Sequence, residues 1–402
     1  MKATRGLGLC LILSLIGMGL AGYLTYMHFG FLRGELLGGL GCGAAGSLLN
    51  CHAVTAGSWG QFLGMPLAMW GLLGYMTVFG LSLWGRQSQE TAGAAAVLLT
   101  LLSLFMVAAD LYLLGVMVFV IRFYCLFCLL TYAVNVSLLV VSSRSTGVSL
   151  PQAVGRAGGA AAMLLPLPQR PAADLFWGLL FVGVLGVTGL HVSTVFVSRG
   201  TLANARQQIK SFLIRQPRVT VESSGDPSIG PADAPLKLIE FSDFLCPACQ
   251  RASKVNTIIL ANHRRDANFT FKNYPLDNAC NENIAHAVHP GACQVAAAGE
   301  CAYLQGKEKF WSFHDLVFEK GHDYPLDNIN GDMERIGVDL TVFHACMDGG
   351  QGMEAVKRDI AEGKKLGIQS TPTYVINGVP MAGGLNPALF DDLAASLKAS
   401  AQ

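Results

Sequence analysis

Charged residues are scarce in this chain of 402 residues. Asp, Glu, Lys and Arg make up 14% of it and hydrophobic residues 52%, which departs from average soluble composition in the direction of membrane proteins. The scarcity lies in residues 1–198, whereas residues 199–402 read as an ordinary soluble sequence. The formal net charge is only +1, so we expect no basic surface and no nucleic-acid partner.

The soluble half also lacks a second C-x-x-C pair beside Cys246 and Cys249. A structural zinc site needs four ligands, so no metal site is predicted there. His286 and His289 are expected to be surface or capping residues. The chain has eleven cysteines in all. The topology argued below puts ten of them on or near the extracytoplasmic side of a membrane, where disulfides form and persist.

Five apolar runs are long enough to cross a bilayer, which takes about 20 residues per helix. A cleaved signal peptide is the alternative for the first run, which is longer than a typical signal segment. The third and fourth runs adjoin, so a tight turn is predicted near Gly115–Phe119. The five predicted membrane helices cover residues 7–28, 62–84, 94–116, 117–142 and 175–197.

The distribution of Lys and Arg predicts the orientation of these helices. With the N-terminus in the cytoplasm, Arg33 and Arg122 are the only basic residues of the short loops between the membrane helices that fall outside. The loop 29–61, the start of the fourth helix and the C-terminal half then lie on the extracytoplasmic side. Asp110 and Arg122 flank the short outer turn, and we expect them to pair with each other. A proton-relay role for Asp110 is the alternative. The basic residues assigned to the cytoplasm are Lys2, Arg5, Arg86, Arg144, Arg156 and Arg170.

The soluble half reads as alternating strands and helices. Leu236–Phe244 and Asn268–Tyr274 have the composition of buried strands, and residues 281–365 are mostly helical in pattern. Thr373–Ile376 is a third strand before an Asn-Gly turn, and Pro387–Lys398 is a closing helix. This order predicts a thioredoxin fold with a helical insertion.

Cys246 and Cys249 follow the first of these strands and open a helix, which is the context of a redox C-x-x-C. The helix N-terminus favours an anion, so the Cys246 thiolate should be stabilised, with Cys249 as the resolving thiol. Pro372 precedes the late strand, where thioredoxin-like proteins hold a cis-proline against the active-site disulfide. Glu240 is either a solvated strand residue or a buried acid that relays protons during exchange.

Three stretches give this half a resemblance to the DsbA-like branch of the thioredoxin superfamily. The Pro-Ala dipeptide between the cysteines departs from the Pro-His of the strongest oxidants in that branch, which leaves the oxidising strength open. We expect Cys280 and Cys293 to form a structural disulfide, whereas Cys301 and Cys346 either pair or stay as buried thiols. The three stretches are Ile239–Cys249, Phe310–Asp315 and Gly367–Gly378.

A second dithiol lies in the fourth apolar run. Cys125 and Cys128 are three residues apart and share a helix face. Cys42 and Cys51 occupy a Gly-rich loop assigned to the same side. Together with Cys246 and Cys249 they predict a relay of three dithiols; the alternative is that Cys42 and Cys51 only staple their loop.

The stretch Cys125–Leu139, with Tyr112-Leu113 and the Cys42…Cys51 pair, resembles the vitamin K epoxide reductase family. The resemblance extends over residues 7–142 and implies a quinone as electron acceptor, ubiquinone or menaquinone. It implies that Cys42 exchanges with Cys246, that Cys51 passes electrons to Cys125, and that Cys128 and Tyr132 face the quinone. Microbial members of the family are often fused through a fifth helix to a thioredoxin-like domain.

The sequence therefore predicts a membrane bundle of five helices with a four-helix core, followed by a DsbA-like α/β domain. The predicted function is a quinone-dependent thiol-disulfide oxidoreductase in the bacterial inner membrane, acting on reduced secreted or periplasmic proteins. The alternatives are a tethered disulfide isomerase or reductase, and a non-enzymatic metal-binding or assembly protein. The predicted segments are 1–142 (membrane domain), 143–199 (cytoplasmic loop and fifth helix), 200–229 (linker) and 230–402 (thioredoxin-fold domain).

Overall fold

The computed structural model describes residues 2–32, 49–55, 57–146, 150–165 and 173–399. These fall into two compact units that divide near residue 201. Within the described residues, five helices are long and apolar enough to cross a membrane, as the sequence predicts. The helices of the first unit are α1 (Lys2–Leu32), α2 (Cys51–Thr55), α3 (Leu67–Trp84), α4 (Gln89–Gly115), α5 (Leu126–Thr146) and α6 (Leu150–Ala162); α7 (Asp174–Arg215) runs on from the fifth apolar segment.

The first unit has a core of four helices: α1 packs against α3 and α5, and α4 packs against α5. Gly17 allows the close approach of α1 and α3, since a Cβ there would lie 2.3 Å from a ring carbon of Tyr75. A short hairpin, β1 (Gln61–Phe62) and β2 (Met65–Pro66), precedes α3. Because Gly17 has no side chain, the buried ring of Tyr75 packs directly against α1 inside the bundle.

The turn between the third and fourth apolar runs lies later than predicted. Helical backbone continues beyond α4 through Val116–Ile121, because that segment is uniformly apolar and keeps its hydrogen bonds inside the helix. Arg122 ends it in the left-handed conformation, with φ 61°. The expected turn at Gly115–Phe119 is therefore wrong, and the true turn places Cys125 directly before α5. Helix α6 was not predicted either.

The second unit is built on a five-stranded sheet in the order β3-β5-β4-β6-β7. Strands β4 and β5 are parallel and joined through a helix, while β6 and β7 form an antiparallel hairpin on the other side of β4. The strands are β3 (Ser228–Ile229), β4 (Leu236–Ser242), β5 (Ala267–Asn273), β6 (Thr373–Ile376) and β7 (Val379–Ala382).

Seven helices complete this unit and cover the sheet. The hairpin turn is Asn377-Gly378, with φ of 47° and 82°, which is the left-handed pair that this dipeptide favours. The predicted thioredoxin fold with a helical insertion is confirmed. The helices are α8 (Pro247–Asn262), α9 (Ala292–Tyr303), α10 (Lys307–Lys320), α11 (Ile329–Arg335), α12 (Leu340–Asp348), α13 (Gln351–Lys365) and α14 (Pro387–Ala399).

Candidate functional site

The cysteine pair of the second unit lies where β4 passes into α8. Cys246 is the N-cap residue of α8 and Pro247 occupies its first turn, where the missing N–H costs nothing. The backbone N–H of Cys246 donates to the carbonyl of Asp243 at 3.1 Å. Cys246 is 6% exposed and Cys249 is fully buried, so substrate can reach Cys246 first.

The two thiols are electrostatically unequal. The Cys249 thiol donates a hydrogen bond to the Cys246 sulfur, and with the N–H groups of Ala248 and Cys249 it lowers the pKa of Cys246 to about 5 despite burial. Burial, and the hydrogen bond to Cys246, raise the pKa of Cys249 well above its ordinary value. Cys246 is therefore held as a thiolate at neutral pH and Cys249 as a thiol, which suits nucleophile and resolving residue.

Pro372 lies on the opposite wall of this site. The Thr371–Pro372 peptide bond is cis, and the carbonyl oxygen of Thr371 is 3.5 Å from the Cys246 sulfur. The structure thus brings Pro372 to the dithiol from the start of β6. Its role in exchange stays a prediction.

Glu240 lies beneath the dithiol on β4, opposite Tyr374 of β6. Its side chain is 2% exposed, so it is not the solvated residue of the first alternative. Asn256 Nδ2 donates to Glu240 at 2.5 Å, and the Tyr374 hydroxyl donates to Asn256 Oδ1 at 2.9 Å. Burial raises the pKa of Glu240, and its charge in turn raises that of Cys249.

Sequence reasoning assigned no role to Asn256 or Tyr374. Asn256 is a polar residue seven positions after Cys249 on α8, and a buried polar residue on that helix was the available signal. Tyr374 lies in the same short segment as Pro372. Both orient the Glu240 carboxyl, so the candidate site has a fixed polar layer under its sulfurs.

The cysteine pair of the first unit opens α5. Cys125 and Cys128 form a disulfide, and the Cys128 N–H lies 3.1 Å from the Cys125 sulfur. Cys125 is fully buried with Cys51 in one apolar cluster, and Cys128 and Tyr132 pack against that cluster. The Asn50 N–H donates to the Tyr124 carbonyl at 2.9 Å.

The residue before Cys51 is therefore hydrogen-bonded to the residue before Cys125. Cys51 is itself disulfide-bonded. Cys42 lies outside the described residues, so its predicted pairing with Cys51 and its exchange with Cys246 stay predictions.

Cys128 and Tyr132 line one cavity of about 140 Å³ inside the first unit. Its volume is close to the roughly 150 Å³ of an engineered cavity that binds benzene, so a single aromatic ring fits. Most of the wall is apolar, and the polar side chains that line it with Cys128 and Tyr132 are His28, Thr55, Trp59, Tyr75, Asp110, Thr131 and Asn135.

Asp110 does not make the expected pair with Arg122. Its carboxylate accepts a hydrogen bond from Asn135 Nδ2 at 2.8 Å and is turned into the cavity wall, while Arg122 is exposed. The later turn explains the difference, because Asp110 lies more than three helical turns before Arg122. Within the described residues, Asn135 Oδ1 and His28 Nδ1 are buried and have no hydrogen-bond partner.

The remaining cysteines of the second unit form two disulfides, Cys280–Cys293 and Cys301–Cys346. The first closes a loop that leads into α9. The second, which the sequence left open, joins α9 to α12. Cys10 of α1 is a free, buried thiol.

The first unit has a buried cysteine pair beside a ring-sized cavity, and the second unit has an activated C-x-x-C on a thioredoxin fold. Both pairs have surroundings suited to thiol-disulfide exchange. Comparison with protein-family models agrees. Residues 9–143 match the model of the vitamin K epoxide reductase family, and residues 222–394 match a thioredoxin family model. Each match covers less than half of the chain, so residues 9–143 are similar to a vitamin K epoxide reductase domain and residues 222–394 to a thioredoxin domain.

Individual proteins match parts of the chain. The probable disulfide bond formation protein D of Bacillus cereus is 29% identical over 161 residues, 38% of this chain and 69% of that protein. The Na(+)/H(+) antiporter NhaA of Herminiimonas arsenicoxydans is 30% identical over 169 residues, 41% of this chain. The match spans only 25% of the antiporter's length. BdbD from Bacillus subtilis has a solved structure with 23% identity and a TM-score of 0.37, covering 46% of this chain and 98% of BdbD.

Proposed function

We propose that this protein oxidises thiols of secreted proteins and passes the electrons to a membrane quinone. The observation that carries the proposal is the cavity of the first unit, in which Cys128 and Tyr132 share a ring-sized apolar space. A dithiol that opens into such a space can exchange electrons with a lipid-soluble acceptor. Bulk water is not needed for that step.

The first step takes place at Cys246 and Cys249. A substrate thiolate attacks the sulfur of Cys246 in the oxidised pair, and the Cys249 thiolate leaves. A second substrate thiolate then attacks the mixed disulfide and releases Cys246, so the substrate gains a disulfide and the pair is reduced. The pKa of about 5 makes Cys246 a good leaving group. Glu240 gives a proton to Cys249 as it leaves and takes one back when the pair is reoxidised.

The second step moves the electron pair between dithiols. Cys42 accepts it from Cys246, and Cys51 passes it to Cys125. The burial of Cys51 with Cys125 in one apolar cluster supports the last transfer. Each exchange forms one disulfide and breaks another, so no external oxidant enters before the cavity.

The cavity residues fit a quinone on two grounds. The volume admits one ring, and two buried polar atoms, His28 Nδ1 and Asn135 Oδ1, lack partners among the described residues. A quinone bound here would accept two electrons and two protons and leave as a hydroquinone. Tyr132 would hydrogen-bond one oxygen of the quinone ring. The Asp110–Asn135 pair would hydrogen-bond another polar group of the quinone, at a different part of the cavity wall.

The setting proposed is the inner membrane of a bacterium, with the N-terminus in the cytoplasm and the thioredoxin-like unit outside. The bilayer, a ubiquinone or menaquinone, and reduced secreted or periplasmic proteins are then its partners. The distribution of Lys and Arg supports this orientation.

Quinone reduction by the purified full chain, with a reduced unfolded protein as donor, tests the proposal. We expect rapid reduction by the wild type and loss of protein-driven reduction in Cys42→Ala. In cells, Cys128→Ala should leave Cys246 and Cys249 reduced. Full oxidation of that pair in Cys128→Ala cells would refute the relay, and a largely reduced pair in wild-type cells would favour the isomerase alternative. Metal bound stoichiometrically to the purified chain would favour the metal-binding alternative.

A further inference from the structure

His289 is not the surface or capping residue that the sequence suggested. It lies in the loop closed by the Cys280–Cys293 disulfide, and its side chain is 15% exposed. Its Nδ1 is 2.8 Å from a carboxylate oxygen of Asp243. This histidine is thus fixed against a residue of the C-x-x-C site from a different element of the fold.

Asp243 connects His289 to both active-site cysteines. Its backbone carbonyl accepts from the Cys246 N–H at 3.1 Å, and its own N–H lies 3.5 Å from the Cys249 sulfur. Its fully buried carboxylate also accepts from the N–H groups of Leu245 and Leu276 at 2.8 and 2.7 Å. A carboxylate held by these donors has a fixed position, so the imidazole that it binds has one too.

The loop is clamped independently of this contact. The N–H groups of Val288 and His289 both donate to the Leu276 carbonyl, at 2.9 and 3.1 Å. Asp277 accepts from the Gly291 N–H at 2.9 Å, next to the disulfide that closes the loop. His289 therefore reaches the site as a rigid group.

We propose that His289 acts as a positioning and charge-bearing residue that stabilises the Cys246 thiolate, and thereby sets the oxidising strength of the Cys246–Cys249 pair. Ala248 leaves the C-x-x-C itself without a cationic side chain. A protonated imidazole beside Asp243 supplies that charge from the loop. This proposal concerns the Cys246–Cys249 site of the proposed oxidase. It rests on the proposed function only in taking that pair to be the one that oxidises substrate proteins.

The electrostatics agree with the geometry. The hydrogen bond to Asp243 raises the pKa of His289, burial opposes it, and the charges of Asp243 and Cys246 raise it further. The effect is mutual, because a cation that is favoured by a thiolate also favours the thiolate. A stabler thiolate stabilises the reduced pair, which makes its disulfide a stronger oxidant.

The test is the pH dependence of Cys246 alkylation by iodoacetamide in the reduced full chain, followed by mass spectrometry of its peptide. His289→Gln should slow alkylation about tenfold below the Cys246 pKa and shift the glutathione equilibrium about tenfold, or about 30 mV, toward the disulfide. His289→Lys, which keeps a positive charge, should restore most of both effects. His286→Gln changes an exposed histidine of the same loop and should match the wild type.

Unchanged alkylation in His289→Gln would overturn the proposal, as would equal losses in the Gln and Lys variants. If His289→Gln does not fold, His289→Asn replaces it, with the same expectation. The assay contains neither quinone nor protein substrate. It can therefore fail while the relay holds, and the relay can fail while His289 still governs Cys246.

Discussion

The two C-x-x-C pairs of this chain, Cys125/Cys128 and Cys246/Cys249, have the same spacing but opposite surroundings. Cys246 lies at a helix N-terminus among backbone N–H groups and hydrogen-bonded thiols, so local electrostatics determine its protonation. Cys128 opens into a mostly apolar cavity and packs against an apolar cluster. The C-x-x-C motif therefore fixes only the spacing of the two cysteines along the chain. The chemistry of each pair is decided by what surrounds it: hydrogen-bond donors at a helix N-terminus in one case and a mostly apolar, ring-sized cavity in the other.

The largest effects should come from removing one sulfur of each pair. Cys246→Ser and Cys128→Ser should each lower protein-driven quinone reduction on the order of a thousandfold or more, as expected for loss of a nucleophile. The redox states should differ: Cys128→Ser accumulates reduced Cys246, whereas Cys246→Ser leaves Cys125–Cys128 oxidised. Differential alkylation of the two variants in cells measures this. The same redox state in both would mean that the pairs are not in series. Cys10→Ser, at a free buried thiol, is the control.

The soluble pair has a buried acid, Glu240, directly beneath its sulfurs as a candidate proton donor and acceptor. Glu240→Gln should slow the attack of Cys249 on a mixed disulfide between Cys246 and a peptide by about a hundredfold, the lower range for general acid-base catalysis, because Cys249 must give up its proton to attack. Cys246 should still attack at close to its normal rate. Stopped-flow kinetics of a mixed disulfide between Cys246 and a peptide separates these steps. Glu300→Gln removes another buried carboxyl of the same unit and should leave both rates intact; an equal slowing there would show a general loss of packing.

The cavity should respond to smaller changes, since single hydrogen bonds are involved. Tyr132→Phe and Asp110→Asn should each raise the KM for quinone about two- to tenfold, the equivalent of about 0.5–1.5 kcal/mol. The rate of exchange between Cys246 and a reduced protein should not change. Tyr26→Phe alters an exposed tyrosine of α1 and serves as the matched control. An unchanged KM in both cavity variants would place the quinone elsewhere.

Much of this organisation was predictable from the sequence, because it depends on local patterns. Long apolar runs predict membrane helices, and a strand before Cys246 predicts its place at a helix N-terminus. The Asn377-Gly378 turn was likewise predicted from two residues whose backbone preference is strong. These features need no knowledge of distant contacts.

The rest depended on contacts between residues far apart in the chain. The pairing of Asp110 with Asn135 follows from how α4 packs on α5, and a shift of the predicted turn was enough to suggest Arg122 instead. His289 meets Asp243 only because the disulfide loop folds back over the end of β4. Tyr374 and Asn256 surround Glu240 through the sheet register and the crossover of α8. Sequence spacing contains none of this information.

The smallest effect on activity is expected from a substitution that changes only the stability of the soluble unit. Lys272 is buried there with Asp226, Asp359 and Glu362, at 2.7, 3.1 and 2.8 Å, and Asn273 Nδ2 links Asp359 to Glu300. Burial raises the pKa of Glu300 from 4.5 to about 8. Between pH 4.5 and about 8 the folded state therefore binds more protons than the unfolded state. The contribution of Glu300 to stability is complete below pH 4.5 and is lost as the pH rises toward about 8.

Glu300→Gln should therefore flatten the pH dependence of the free energy of unfolding of this unit across that range, by at most about 1.4 kcal/mol per pH unit. Asp359, whose pKa burial raises to about 6, keeps titrating in the variant and leaves a residual slope at the lower end. Pulse proteolysis in urea measures the unfolding midpoint of each unit separately. Glu354→Gln, an exposed carboxyl of α13, should keep the wild-type slope. The membrane unit should show the same unfolding midpoint in every variant, and a shift there would mean that the two units do not unfold independently. An unchanged slope in Glu300→Gln would mean that the Glu300 carboxyl is ionised in the folded protein.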